Sequence, residues 1–304
     1  MKFSLLPVRM RRMALLPAAA CLIALGGAPA QATIIADFSG GNGEAQANQY
    51  TGKAGDGWLG AWNARIGQNA TNTFSVLNTN PFGSGGNYLN IIYSKTASGG
   101  SNRGGVSRAF ATVGAGSVDV TKQYSIAFDF RVESLTGWSG SGDQFVFSSE
   151  STTTIGSIGS ELPWSLTIRG DNGFAVTNGN GTGSISNLNF SSLGLTALAA
   201  NTVYSVNVTI DPLHNGYDLT ITRGGTTYRA SDLNGGKLLG FRTNATAANA
   251  NVLQFRNIMD GATDATTWSL DNIAVIPEPG SVALVLGGAL FFAWKLRQGL
   301  PSRH

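Results

Sequence analysis

Along Tyr124–Glu133, apolar Tyr124, Ile126, Phe128, Phe130 and Val132 alternate with polar Ser125, Asp129, Arg131 and Glu133. An extended chain turns successive side chains to opposite faces, so this period of two predicts a strand with one buried side. Val203–Asp211 repeats the pattern, with Tyr204, Val206, Val208 and Ile210 set against Ser205, Asn207 and Thr209. Tyr217, Leu219 and Ile221 follow, then Arg223-Gly224-Gly225-Thr226, a hairpin turn whose glycines accept positive φ. Trp164, Leu166 and Ile168 make another one-sided strand. Further strands are predicted near Ile34–Phe38, Phe74–Leu77, Tyr88–Tyr93, Gln144–Ser148, Lys237–Arg242, Val252–Ile258 and Trp268–Val275. Leu193–Ala200 reads as one short helical turn, and no window shows a sustained helical stripe.

Strands of this kind, separated by Gly-, Asn- and Ser-rich loops, predict an all-β body. The loops are placed at Gly83–Gly86, Ala97–Gly105, Trp138–Gly142 and Asn178–Gly183. The fold expected over residues 33–275 is a two-sheet antiparallel jelly-roll sandwich, flanked by an N-terminal signal helix and a C-terminal membrane helix. In the closing strand, Trp268 and Leu270 have one parity while Ile273 and Val275 have the other. A slip of one residue near Asp271-Asn272, a β-bulge, reconciles them.

The two ends read as targeting segments. Lys2, Arg9, Arg11 and Arg12 precede the apolar run Met13–Gly27, and Ala30-Gln31-Ala32 offers a small-x-small cleavage site. Residues 1–32 are therefore assigned as a signal peptide. Cys21 lies inside the apolar run and makes a poor lipidation site. At the other end, Ile276-Pro277-Glu278-Pro279-Gly280-Ser281 leads into an uncharged stretch to Trp294, closed by Lys295, Arg297 and Arg303. The two prolines bias the tripeptide towards extended geometry, a suitable shape for a protease groove. Ser281–Trp294 makes a helix of roughly 21 Å at ~1.5 Å per residue, short for a bilayer core of ~30 Å. Leu296 lengthens it, and Lys295 and Arg297 snorkel, which sets the membrane helix at 281–296.

This order of Pro277, Glu278 and Pro279, an apolar helix and a basic cluster flanked by Lys295 and Arg297 resembles the PEP-CTERM sorting signal of Gram-negative bacteria. Gly280 stands after the second proline, and the terminal basic run is sparse. The resemblance covers residues 276–304. It implies an exosortase-type processing enzyme as partner, membrane association through the C-terminus, and a destination in the cell envelope, at the surface or in the extracellular matrix. It also implies a setting of exopolysaccharide and biofilm.

Removing both ends reverses the charge. The chain has 20 Lys and Arg against 17 Asp and Glu, whereas residues 33–275 carry 13 against 16. The basic character belongs to the targeting segments, and no nucleic-acid partner is expected.

In strand order the body resembles the concanavalin A-like and carbohydrate-binding-module jelly rolls, carried by Tyr124–Glu133, Val203–Asp211 and Trp268–Val275. The resemblance implies a structural calcium where first and last strands meet. Asp37, Glu44 and Asp271 are the candidate oxygen ligands, with simple turn or edge carboxylates as the alternative. No other cofactor is expected.

Enzyme chemistry finds little support. His214 is the body's lone histidine and sits in the turn Asp211-Pro212-Leu213-His214-Asn215-Gly216. The body lacks cysteine, and no Gly-x-Ser-x-Gly elbow is present. The Glu-x-Asp-x-x-Glu run of concanavalin A-like glucanases is also missing. Glu133, Glu150 and Glu161 stand apart from one another. The expectation is a non-catalytic exported protein that binds exopolysaccharide. The alternative is an envelope-associated carbohydrate-active hydrolase working through those isolated carboxylates. Trp58 and Trp62 are the candidate sugar-stacking pair, with Asn63 and Arg65 nearby for hydroxyl groups and Trp138 in a separate loop. The competing role for Trp58 and Trp62 is to plug an open end of the sandwich.

Overall fold

The computed structural model describes residues 33–277, apart from 37, 39–56, 68, 84, 98–102, 115, 139, 156–161, 244–249 and 261–262. The signal segment, Glu278 and all that follows it lie outside the described residues, as do Asp37, Glu44 and Glu161.

The described chain forms strands β1 (Ile34–Ala36), β2 (Trp58–Arg65), β3 (Ala70–Leu77), β4 (Tyr88–Lys95), β5 (Arg103–Phe110) and β6 (Tyr124–Thr136). There follow β7 (Gln144–Glu150), β8 (Ser165–Arg169), β9 (Gly173–Gly179), β10 (Ile185–Asn189) and β11 (Val203–Asp211). The last are β12 (Gly216–Arg223), β13 (Thr226–Arg229), β14 (Leu239–Gly240), β15 (Val252–Ile258) and β16 (Ala265–Pro277). They make two antiparallel sheets. One runs β13-β12-β11-β6-β16-β4-β3, with β1 added on β16 and β14 on β12. The other runs β10-β9-β8-β7-β15-β5-β2. The chain crosses repeatedly between them, a path consistent with a jelly roll.

The alternating positions meet between the sheets. Phe128 and Phe130 of β6 pack edge-on against Phe147 of β7, with ring centroids 5.5 and 5.1 Å apart. Trp268 of β16 stacks on Phe147 at 6.0 Å. Full burial of such large side chains stabilises by about 1.5–3 kcal/mol each. This layer is part of the continuous core that holds the two sheets face to face.

The predicted bulge is present. The β16–β6 register shifts between Asp271 and Ala274, and Asn272 adopts a left-handed φ of 52°. Trp268, Leu270, Ile273 and Val275 are consequently all at 0% exposure. A second shift in the same ladder pairs Trp268 with Val132 and Thr267 with Ser134, leaving Glu133 as the extra residue on β6. The β12–β13 hairpin turns on Gly224 and Gly225, at φ 55° and 83°.

Several boundaries differ from expectation. β16 continues to Pro277, which pairs with Tyr124, so the last strand outruns the expected end of the body at 275. Arg103–Phe110 is a strand although its first residues were assigned to a loop; Gly104 and Gly105 leave it no apolar signature there. The helical turn falls at Phe190–Leu193, a 3-10 turn ended by left-handed Gly194, rather than over Leu193–Ala200. Lys237–Arg242 narrows to Leu239–Gly240.

Candidate functional site

β2 carries two sets of side chains, and their parity separates them. Trp58 and Trp62 point inward, with rings 6.1 Å apart and tilted by 37°. Between Leu59 and Asn63, β2 holds two more residues than its partner β5, so Gly60–Trp62 bow out of register. Arg108 of β5 fills the bow. Its Nε donates to the Gly60 carbonyl at 3.0 Å, and its guanidinium lies 4.8 Å from the Trp58 ring and 5.6 Å from the Trp62 ring. Trp62 also stacks on Phe38 at 6.0 Å and is 1% exposed. It is a core plug, with no ring face left for a sugar, because the even-numbered side of β2 faces the other sheet. Trp58 is half-buried, its Nε1 donating to the Ile35 carbonyl at 3.0 Å. Trp138 stacks on Phe145 at 4.9 Å and is also half-buried.

Asn63 and Arg65 point the opposite way, onto the outer face of the seven-stranded sheet. There they border a cleft of about 360 Å³, lined by Asn63, Ala64, Arg65, Thr153, Thr154 and Ile155. The last three belong to the connection that leaves β7. Ser107 and Gln254, neighbouring outward residues on β5 and β15, fix it in place. Ser107 Oγ donates to the Thr153 carbonyl at 2.6 Å, and Gln254 Nε2 to the Thr152 carbonyl at 2.7 Å. Ile155, 2% exposed, anchors the segment by burial.

Beneath this connection lies a charged pair. Arg256 Nη2 stands 3.5 Å from Glu150 Oε1, with side-chain exposures of 1% and 4%. Gln254 Oε1 and Ser148 Oγ accept from the same guanidinium at 3.3 and 3.5 Å. Burial draws the Arg256 pKa down; Glu150 opposes the shift and Arg103 adds to it. Register places Arg65 opposite Gly105, and Gly105 opposite Arg256, on three adjacent strands. Gly105 has φ 139°, and a Cβ there would meet the Phe255 carbonyl oxygen at 2.2 Å. The row therefore has two arginines with no side chain between them.

The remaining candidates are dispersed. Glu133, on the outer face of the other sheet, accepts from Ser269 Oγ at 2.8 Å and has Arg131 Nη1 at 3.8 Å. Burial raises its pKa, while Ser269 and Arg131 offset part of the rise. Asp271 is buried on that face. Its carboxylate accepts from Asn80 Nδ2 and from the Asn272 backbone N–H, both at 2.8 Å. With Asp37 and Glu44 outside the described residues, Asp271 is the one calcium candidate the structure places. Among the described residues no group of three or more His, Cys, Asp or Glu is placed to hold a metal ion. His214 lies in an exposed turn, its Nδ1 2.7 Å from Asp211 Oδ2. Of the sorting residues, Pro277 closes β16, whereas Glu278, Pro279, Lys295 and Arg297 lie outside the described residues. No helix among the described residues is long and apolar enough to cross a membrane.

No protein-family model matches the chain, and no curated protein sequence does either. The chain is similar to several solved structures at low sequence identity. One is the catalytic domain of a glycoside hydrolase family 131 protein from Coprinopsis cinerea, at 11% identity over 80% of this chain and 93% of that one, TM-score 0.49. Lectin II from Ulex europaeus is another, at 10% identity over 67% and 93%, TM-score 0.34. A botulinum neurotoxin type C chain shares 16% identity over 82% of this chain, TM-score 0.38; the present chain spans half of its length.

Proposed function

We propose that residues 33–277 form a non-catalytic polysaccharide-binding module of an exported envelope or matrix protein. The observation that carries this reading is the cleft beside β2. Its rim of one amide, two threonines and one guanidinium supplies hydrogen-bonding groups of the kind sugar hydroxyls need, on a rigid strand and a pinned connection. Export rests on the N-terminal segment. Delivery to the envelope through an exosortase-type enzyme rests on the likeness of residues 276–304 to a PEP-CTERM signal.

The hydrolase alternative gains one specific observation, the bulged Glu133 with its raised pKa. Two-carboxylate hydrolysis needs a second carboxyl group roughly 5–9.5 Å away. Asp129, on the same face of β6, is four residues from Glu133, roughly 13 Å at ~3.3 Å per residue. Glu150, on the other sheet, is committed to Arg256. Among the described residues these distances favour binding over turnover; Glu161, the third candidate, lies outside them.

Retention on a panel of immobilised polysaccharides, combined with a reducing-end assay, tests the proposal. Retention without release is the expected result. Release that scales with protein and disappears in Glu133→Gln would replace it with the hydrolase reading, and retention on none of the panel would remove it.

A further inference from the structure

Resting on the polysaccharide reading of the cleft beside β2, we propose that its ligand is acidic, a polymer bearing carboxylate groups such as a polyuronate, with Arg65 taking the carboxylate. The argument starts from charge. Residues 33–275 carry more anions than cations, 16 against 13. The outward positions of β2, β5, β15 and β7 break that balance: their charged residues are Arg65, Arg103 and Arg256 against Glu150. Cations are thus concentrated where the body as a whole would repel a polyanion.

Placement sharpens the point. Arg65 and Arg256 flank Gly105, two strand spacings apart, roughly 10 Å at ~4.8 Å each. Arg103 lies two residues before Gly105 on the same face. Gly105 is itself buried, so a carboxylate approaches this row from the Arg65 side, where the cleft opens. Arg256 is buried, faces Glu150 and does not line the cleft; Arg65 is half-buried on its rim and reaches the ligand. A guanidinium presents a planar fork of donors that matches a carboxylate in two parallel hydrogen bonds, a selectivity no neutral sugar exploits. Asn63, Thr153 and Thr154 on the same rim then serve the ring hydroxyls.

Affinity electrophoresis of the full chain, in detergent, through gels containing polygalacturonate, carboxyl-reduced polygalacturonate or dextran tests this. Retardation should be strong in the first gel and weak in the other two, and should fall as salt is raised. Arg65→Gln should weaken the polygalacturonate interaction by about tenfold, the scale of one charge-assisted pair, and Arg65→Lys by less. Lys122→Gln removes one exposed charge elsewhere and should change nothing. If Arg65→Gln fails to fold, as a melting curve would reveal, the reduced and unreduced polymers still decide. Equal retardation by both, or an equal loss in Lys122→Gln and Arg65→Gln, overturns the acidic ligand while leaving a polysaccharide module in place. No retardation in any gel overturns both readings.

Discussion

Arg256 and Glu150 face each other at 3.5 Å on the outer side of a sheet, yet both are almost wholly buried, because the connection leaving β7 covers them. Moving two charges out of water costs several kcal/mol per ion, which their attraction and the hydrogen bonds that Arg256 donates to Gln254 and Ser148 offset. Glu150→Ala should cost about 3–5 kcal/mol, since it takes this carboxylate from a buried guanidinium. The double variant Glu150→Leu/Arg256→Met should recover most of that loss. Urea unfolding of the three proteins checks it, and a double variant no better than the single one would contradict the account.

Trp62 and Trp58 should separate in their energetic roles. Trp62→Ala is expected to cost about 3–5 kcal/mol, as deletion of a buried large aromatic does. Trp58→Ala, at a half-buried ring, should cost less. Neither ring lines the cleft, so the folded fraction of each variant should retain polysaccharide as the parent does. A stable Trp62→Ala protein that has lost retention would reinstate the stacking role.

The pH dependence of Glu133 follows from the direction of its shift. Burial raises its folded pKa, so the folded state holds its proton more tightly than the unfolded chain. That contribution is fully present below the ordinary glutamate range and is lost as pH rises through the folded pKa. Glu133→Gln keeps an oxygen for Ser269 and removes the titration. The variant should gain stability relative to the parent as pH rises through that window, measured as melting temperature from acid to neutral pH. A difference independent of pH would show that Glu133 does not titrate in this way.

Asn272 holds the bulge that aligns both halves of β16 with the core. Its left-handed φ of 52° disfavours a β-branched residue, and its Nδ2 donates to Asp129 Oδ2 at 2.8 Å. Asn272→Val should be destabilising by at least the ~1–2 kcal/mol of the left-handed conformation. Asn272→Gly loses the side-chain bond alone and should cost less. Chemical denaturation that ranked them in the reverse order would argue against the bulge as the controlling feature.

Strands with one wet and one buried face were plain in the sequence, and Val203–Asp211 matches residue for residue. β5 was opaque because both its faces are covered, one by the core and one by the β7 connection. Ser107 and Gly105 therefore look like loop residues although both are buried. Asn63 and Arg65 were legible as polar-ligand candidates, but they were grouped with Trp58 and Trp62. Parity along β2 sends the two sets to opposite sides. Thr153 and Thr154 gave no signal, since what makes them part of a cleft is contact between segments far apart in the chain.

The position of Pro277 sets where the tail can be removed. Ending the chain after Pro277 keeps all of β16 and should yield a folded body, soluble without detergent, with the parent's melting temperature. Ending it after Asn272 removes Ile273 and Val275, both fully buried, and the residues that pair with β1. That shorter protein should fail to fold. An insoluble product from the first truncation would mean that the segment after Pro277 belongs to the core.

Ile34 and Val275 are opposite partners in the β1–β16 ladder, so the body begins and ends at adjacent points. That adjacency has a mechanical consequence. Tension drawn between the two ends opens β1 from β16 one bond at a time, as a zipper does, and meets little resistance. Tension entering at Pro277 against a ligand held on the other sheet runs along β16 instead. β6 borders that strand along one side, and β4 and β1 share the other. These ladders are loaded in shear, many bonds at once, so a body tethered by its tail bears a pull that would peel it if it were strung from both ends.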